Sequence, residues 1–234
     1  MKMNILMHGR RSALFICLCA GAILGWPLKL SATDPAPQVT KDGLVLKSQT
    51  SQRLVYLRPG ANFSKYDRVA LLDCYVEFQK DWQQNYNQNV VDPNNMITDQ
   101  DVQRMKSWLA AEFRRVFTTE LQKGGYKVVD FGAPDVLILR PALMNVQVTA
   151  PDIMSAGIEA TVVRSAGSAT LYLELWDSVS RTLLARVIDG EAAQLPFAQQ
   201  ANSVTNAAAA DFALRTWADD LVRHLDAARK IASK

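Results

Sequence analysis

The segment SATLYLELWD, residues 168–177, alternates small or apolar side chains with larger polar and aromatic ones. Because successive side chains of a β-strand point to opposite faces, this pattern predicts a strand with two different faces. Residues 177–181 are mostly polar and typical of a turn, and residues 182–189 return as a second strand-like run. The two runs together predict an antiparallel hairpin.

Further strands are predicted on the N-terminal side of this hairpin, at residues 53–58, 69–78, 126–131 and 136–148. Pro141 interrupts the last of them, and proline cannot donate to a β-ladder, so we expect an edge position or a bulge there. Cys74 falls on the apolar face of residues 69–78, which favours a buried, inert thiol over a reactive nucleophile.

Two long amphipathic helices are predicted. The first begins at Thr98, an N-cap followed by Asp101 in a capping-box spacing, and ends at Gly124-Gly125. The second is alanine-rich and covers about residues 205–231. The order of elements predicts an α+β fold: two layers, with a largely antiparallel sheet and the two long helices packed against it.

The first 32 residues are typical of an export signal. Lys2, Arg10 and Arg11 precede an apolar stretch at residues 12–26, and Leu30-Ser31-Ala32 offers a cleavage site for signal peptidase. An uncleaved membrane anchor is the alternative, and a lipid anchor is disfavoured because Ile16 and Leu18 precede the two leader cysteines. We therefore predict a signal peptide at 1–32, a flexible lead-in at 33–52, a single domain at 53–234, and a periplasmic location.

Loss of the leader would change the charge and the reactive side chains. It would remove four of the 26 Lys and Arg residues, leaving 22 against 23 Asp and Glu, a net charge of −1. No basic stripe survives, so nucleic acid is not an expected partner. Only Cys74 and His224 would remain of the cysteines and histidines, so a multi-histidine zinc site is excluded and no cofactor is expected.

Residues 79–97 form the most unusual segment, with six Asn and Gln residues between positions 83 and 89 and a closing Asp-Pro-Asn-Asn. This composition predicts a long surface loop. Aromatic rings beside amides can stack on and hydrogen-bond a sugar or a peptide. The candidate ligand-binding residues are therefore Trp82, Gln83, Tyr86 and Asn87; alternatively, Trp82 simply tucks back onto the domain.

Several segments resemble a family of exported bacterial proteins catalogued as domain of unknown function 3313, many of which are lipoproteins. The similar segments are residues 56–77, 126–130, 135–141, the Glu174/Asp177 hairpin and Trp217-Ala218-Asp219. The resemblance implies a compact domain in the bacterial cell envelope. It supplies no catalytic residue, and this chain lacks a convincing lipobox.

Three functions are compatible with the sequence. The first, which we favour, is a non-catalytic envelope protein that contacts other envelope proteins or itself through an exposed apolar or aromatic patch. The second is a module that binds a glycan, peptide or small ligand near Trp82 and Tyr86. The third is an enzyme using two or more of the carboxylates of Asp73, Glu77, Glu174 and Asp177 in one cleft. A membrane is an expected partner only if the leader is retained or lipidated.

Overall fold

The computed structural model describes residues 36–148, 162–200 and 203–232. The strands are β1 (Val45–Gln49), β2 (Arg53–Leu57), β3 (Arg68–Leu71), β4 (Tyr75–Phe78), β5 (Lys127–Val129), β6 (Val136–Val148), β7 (Val162–Asp177) and β8 (Leu183–Gln200). The helices are α1 (Trp82–Asn87), α2 (Asp99–Lys123) and α3 (Ser203–Ala232), with a single 3₁₀ turn at Pro93–Asn95. The predicted signal peptide lies outside the described residues.

The eight strands form one mixed sheet in the order β1-β2-β8-β7-β6-β3-β5, with β4 also pairing with β6. The pairings of β1 with β2, β2 with β8, β8 with β7 and β7 with β6 are antiparallel. The pairings of β3 with β5, β3 with β6 and β4 with β6 are parallel. The prediction of a mostly antiparallel sheet is confirmed. The predicted hairpin is also confirmed, as β7 and β8.

Pro141 lies inside a central strand, so the expectation of an edge position or a bulge at this residue is wrong. β6 pairs with β7 on one side and with β3 and then β4 on the other. The carbonyl of Leu139 accepts a hydrogen bond from the backbone N–H of Leu72, so the backbone polar groups of residue 139 point toward β3. The backbone groups of residue 141 point to the same side, because they alternate along a strand with a period of two residues. The nitrogen of Pro141 therefore faces the gap where β3 has ended and β4 has not begun, so no ladder bond is lost there.

The two long helices pack against one face of the sheet and enclose the core. Their buried side chains meet the inward side chains of β3, β6, β7 and β8 in one cluster that includes Phe113, Phe117, Leu139, Leu173 and Trp217. Two ion pairs join α2 and α3, Arg115–Asp211 and Glu120–Arg215. The residue nearer the end of α2 pairs with the residue nearer the end of α3. The two helices therefore run side by side in the same direction.

The ends of α2 match the sequence-based prediction. The hydroxyl of Thr98 accepts from the backbone of Asp101, whose carboxylate accepts from the backbone of Thr98, which is a capping box. Hydrogen bonds from Thr98 hold the pKa of Asp101 below its usual value. At the other end Gly125 adopts φ +82°, a conformation that glycine enters without steric cost.

Two segments differ from the sequence-based expectation. Residues 33–52 were expected to be a flexible lead-in, but β1 lies within them, and Leu44 is fully buried. Residues 79–97 were expected to be a long loop, but they contain α1 and the 3₁₀ turn, so the described part of the chain has a short third helix. In both segments, contacts with distant parts of the chain stabilise secondary structure that the local amino-acid composition does not indicate.

Candidate functional site

The sheet face opposite the long helices carries a row of half-buried and exposed apolar side chains. Alternate residues of β6 and β7 point away from the core, because the intervening Leu139, Leu143 and Leu173 belong to it. We call this surface the open face and define it by Leu72, Tyr75, Ile138, Ala142, Met144 and Tyr172. Tyr75 is 57% exposed and Leu72 44% exposed, and both lie on the same face as the half-buried Ile138 and Met144, so the exposed apolar side chains form a group.

One end of this sheet face is covered by the chain just before β1. Leu44, Tyr56 and Leu183 are buried there in a second, smaller apolar cluster. Arg186 holds the covering segment through an ion pair to Asp42 at 2.7 Å. The cluster therefore closes the side of the sheet near β2 and β8, whereas the open face lies over β4, β6 and β7.

A buried carboxylate, Glu174, lies between the covered end and the open face. It accepts hydrogen bonds from Arg186 at 2.8 and 3.1 Å, from the Trp176 indole at 3.2 Å and from the Tyr172 hydroxyl at 3.3 Å. Arg140 also approaches it, at 3.7 Å. With both oxygens of Glu174 engaged, this cluster holds β7 and β8 together and fixes the aromatic rings on this side of the sheet.

Charged side chains of opposite sign flank the apolar residues of the open face. The Arg140 side chain is 66% exposed although its strand is central. On β4 the exposed Glu77 accepts a hydrogen bond from the Tyr75 hydroxyl at 3.2 Å, and this bond raises the pKa of Tyr75. The surface is thus apolar and aromatic in the middle, with a cation and an anion at its margins.

The four predicted ligand-binding residues lie together on α1. The Trp82 ring packs against Phe78 with 4.6 Å between centroids, its indole donates to the carbonyl of Val148, and only 9% of the residue is exposed. Tyr86 lies 6.3 Å from Trp82 and is half-buried. Trp82 therefore packs back onto the domain, and its ring is not presented as a stacking platform.

The amides of Gln83 and Asn87 are engaged within the protein. Gln83 donates to the carbonyl of Ile97 and to Asp99, and Asn87 donates to the same carbonyl and accepts from the Ile97 backbone. These bonds tie α1 to the N-terminus of α2. Beside them lies an open groove of about 680 Å³, which Gln83, Gln84, Asn87, Gln88, Val90 and Met96 line.

The remaining candidate side chains are held in separate contacts. Burial raises the pKa of the Cys74 thiol to about 12. Asp73 pairs with Arg114, and Asp177 binds Lys65 and Tyr66, whereas Glu174 binds Arg186. His224 lies on α3, with its Nδ1 2.7 Å from the carbonyl oxygen of Asp220. Over the described residues, no three His, Cys, Asp or Glu side chains are grouped to hold a metal ion.

Comparison with protein families gives one clear result. The sequence profile of a family described as "Protein of unknown function (DUF3313)" matches residues 39–221. The chain belongs to this family. The resemblance noted from the sequence is thereby confirmed, and the match includes β1 and the segment that buries Leu44 as well as the later strands. A comparison with curated proteins finds no match.

Comparison of this DUF3313 protein with solved structures finds weak similarities. A PelC dodecamer from Paraburkholderia phytofirmans is 10% identical, with a TM-score of 0.36, over 70% of this chain and 96% of that one. A DUF330 protein from Xanthomonas campestris is 12% identical, with a TM-score of 0.35, over 76% and 94%. A PDZ domain protein from Parabacteroides distasonis is 12% identical, with a TM-score of 0.34, over 72% and 35%. These TM-scores are too low to support an assignment of function.

A helix that spans a membrane must be both long and hydrophobic, and the helices of the DUF3313 protein do not meet both requirements over the described residues.

Proposed function

We propose that this protein is a non-catalytic component of the bacterial cell envelope and acts by binding another protein through its open face. The observation that carries the proposal is the exposure of Tyr75 and Leu72 beside the half-buried Ile138 and Met144 on a sheet face that the long helices leave free. Apolar and aromatic side chains grouped in this way are typical of protein interaction surfaces.

Site-specific photocrosslinking in the native host tests this proposal. A photoreactive amino acid replaces Tyr75 or Met144, and as a matched control it replaces Arg223, whose side chain is 72% exposed on α3. We expect covalent adducts of higher mass from the two open-face positions and none from the control. Absence of adducts at both open-face positions, with the protein folded and present at its normal level, would contradict the proposal.

The envelope location in this proposal rests on the leader. Mass spectrometry of the N-terminus in separated periplasmic and membrane fractions is the direct test. We expect a chain that begins at Thr33 in the soluble fraction, after cleavage behind Ala32. An intact or lipid-modified N-terminus in the membrane fraction would instead place the same domain at a membrane surface.

A second candidate function is the binding of a glycan, peptide or small ligand, and the groove beside α1 favours it. Amides line this groove, and amides can both donate to and accept from the hydroxyl or peptide groups of a ligand. Gln84 and Gln88 are exposed amides of the groove, whereas Gln83 and Asn87 also hold α1 in place.

The test of this second function uses the exposed amides, because removing the buried Trp82 would disturb the fold. A panel of glycans and peptides is measured with the wild-type protein and with a Gln84→Ala, Gln88→Ala variant. Binding by the wild type and at least tenfold weaker binding by the variant, the loss of about 1.4 kcal/mol, would support the groove as the site. Equal binding by both proteins would exclude it.

A further inference from the structure

We propose that the partner of the open face is the open face of a second copy of this chain, with Arg140 of each copy meeting Glu77 of the other. This inference rests on the proposed function, because it names the partner of the same surface. It follows from the sign and the spacing of the two charges.

Within the described part of one copy, Arg140 and Glu77 each make only one long polar contact. The guanidinium of Arg140 lies 3.7 Å from Glu174, a carboxylate that already accepts two hydrogen bonds from Arg186. Glu77 is exposed and accepts from the Tyr75 hydroxyl at 3.2 Å. Both charged groups can therefore accept an additional partner without breaking a strong contact.

The spacing of these charges follows from the strand register. Tyr75 pairs with Ala142, and Glu77 lies between the Val76–Leu143 and Phe78–Val146 pairs. Glu77 is therefore beside β6 about four residues beyond Arg140, roughly 13 Å along the strand direction. The small side chain of Ala142 and the exposed ring of Tyr75 lie midway between the two charges.

The two open faces meet if a two-fold axis lies in the plane between the sheets, at right angles to the strands and near Ala142. Such an axis reverses the strand direction of the second copy. It thereby places the Arg140 end of one copy opposite the Glu77 end of the other, twice in one interface. Packed sheets lie roughly 10 Å apart, a separation that arginine and glutamate side chains can bridge together. Such an interface is isologous, the commonest arrangement in protein dimers.

Charge complementarity favours a second copy over a partner of uniform charge. A uniformly acidic surface would meet Glu77, and a uniformly basic one would meet Arg140, so either would bring like charges together. A surface with both signs placed symmetrically about an apolar centre is complementary to itself.

Sedimentation equilibrium of the protein purified from its host in its processed form, over a wide range of concentrations, tests the inference. We expect a dimer for the wild type and about tenfold weaker association for Glu77→Lys, which places two like-charged pairs in the interface. Adding Arg140→Glu to this variant should restore association, because the exchanged charges attract again. The control Arg223→Glu reverses a charge of similar exposure on α3 and should leave association unchanged.

The outcomes separate this inference from the proposed function. A wild-type protein that is monomeric at all concentrations would overturn self-association, and a double variant that does not recover association would overturn the pairing of Arg140 with Glu77 across the interface. If photocrosslinks at Tyr75 then join the chain to a different protein, the contact function stands with another partner. If those photocrosslinks are absent as well, both proposals fail.

Discussion

Tyr66 donates its hydroxyl hydrogen bond to Oδ2 of Asp177 at 2.7 Å, although 111 residues separate them in the sequence. The ammonium group of Lys65 reaches the same oxygen at 2.7 Å. The other oxygen of Asp177 accepts from the backbone of Val179 and Ser180, which form the turn after β7. One buried carboxylate therefore shapes the hairpin turn and ties it to the segment before β3.

Asp177 should make the stability of the protein dependent on acid pH. The hydrogen bond from Lys65, and then the one from Tyr66, hold its pKa far below the usual range. A lowered pKa contributes stability that is present above the unfolded value, about 3.9, and is lost as the pH falls. We expect Asp177→Asn to lower the free energy of unfolding by about 2 kcal/mol near neutral pH, and by less in acid.

Urea unfolding at several pH values measures this effect. Asp73→Asn is the matched control, because that side chain is 94% exposed and its ion pair with Arg114 lies at the surface. Equal losses of stability by Asp177→Asn at neutral and acid pH would show that its charge does not contribute.

Glu174 should be the most stability-critical charge on the sheet. Its side chain is 8% exposed, and its removal would leave Arg186, 15% exposed, without its main partner inside the sheet. We expect Glu174→Ala to lower the free energy of unfolding by about 3 kcal/mol, as for other buried ion pairs that lose one member. The exposed Glu77→Ala should change it by less than about 0.5 kcal/mol. Similar losses from both variants in thermal or urea unfolding would contradict this assignment.

The packing between α2 and α3 should be sensitive to one methyl group. A Cβ added at Gly124 would lie 2.5 Å from Cγ1 of Val222, closer than the two atoms can pack. We expect Gly124→Ala to lower the free energy of unfolding by about 1 to 2 kcal/mol through this overlap.

A double-mutant cycle isolates the contact between these two residues. Val222→Ala removes the overlapping methyl groups, so the double variant should be more stable than the sum of the two single effects predicts, by about 1 kcal/mol. Strict additivity of the two changes would mean that the helices move apart to accommodate the alanine.

Cys74 should react only when the protein unfolds. The residue is 7% exposed, and burial raises its pKa, so little thiolate is present at neutral pH. We expect alkylation by iodoacetamide to be at least about 100-fold slower in buffer than in concentrated urea. Mass spectrometry follows the modification, and rapid labelling in buffer would contradict the buried position.

Local sequence features predicted the elements whose signals lie within a few residues of one another. The helix α2 was predicted with its cap, because Thr98 and Asp101 are only three residues apart and bond to each other. The hairpin of β7 and β8 was predicted because alternation and a polar turn require no distant partner. The burial of Cys74 was predicted correctly, but the single strand expected at residues 69–78 is divided into β3 and β4, and Cys74 lies between them.

Features that depend on distant residues were not predictable in the same way. Nothing near Pro141 indicates that β3 ends and β4 begins beside it, so its central position became clear only from the pairing. The burial of Leu44 depends on Tyr56 and Leu183, and the burial of Trp82 on Phe78 and the carbonyl of Val148.

The sequence by itself therefore determined the mixed α and β content, the mostly antiparallel sheet, the capped helix and the family. Only the tertiary structure decided that one face of the sheet is left free by the long helices, with Arg140 and Glu77 on either side of Ala142. Alternation gives every strand two faces, but which face is covered depends on strand order and helix placement. Those depend on contacts between residues far apart in the chain, which local patterns do not encode.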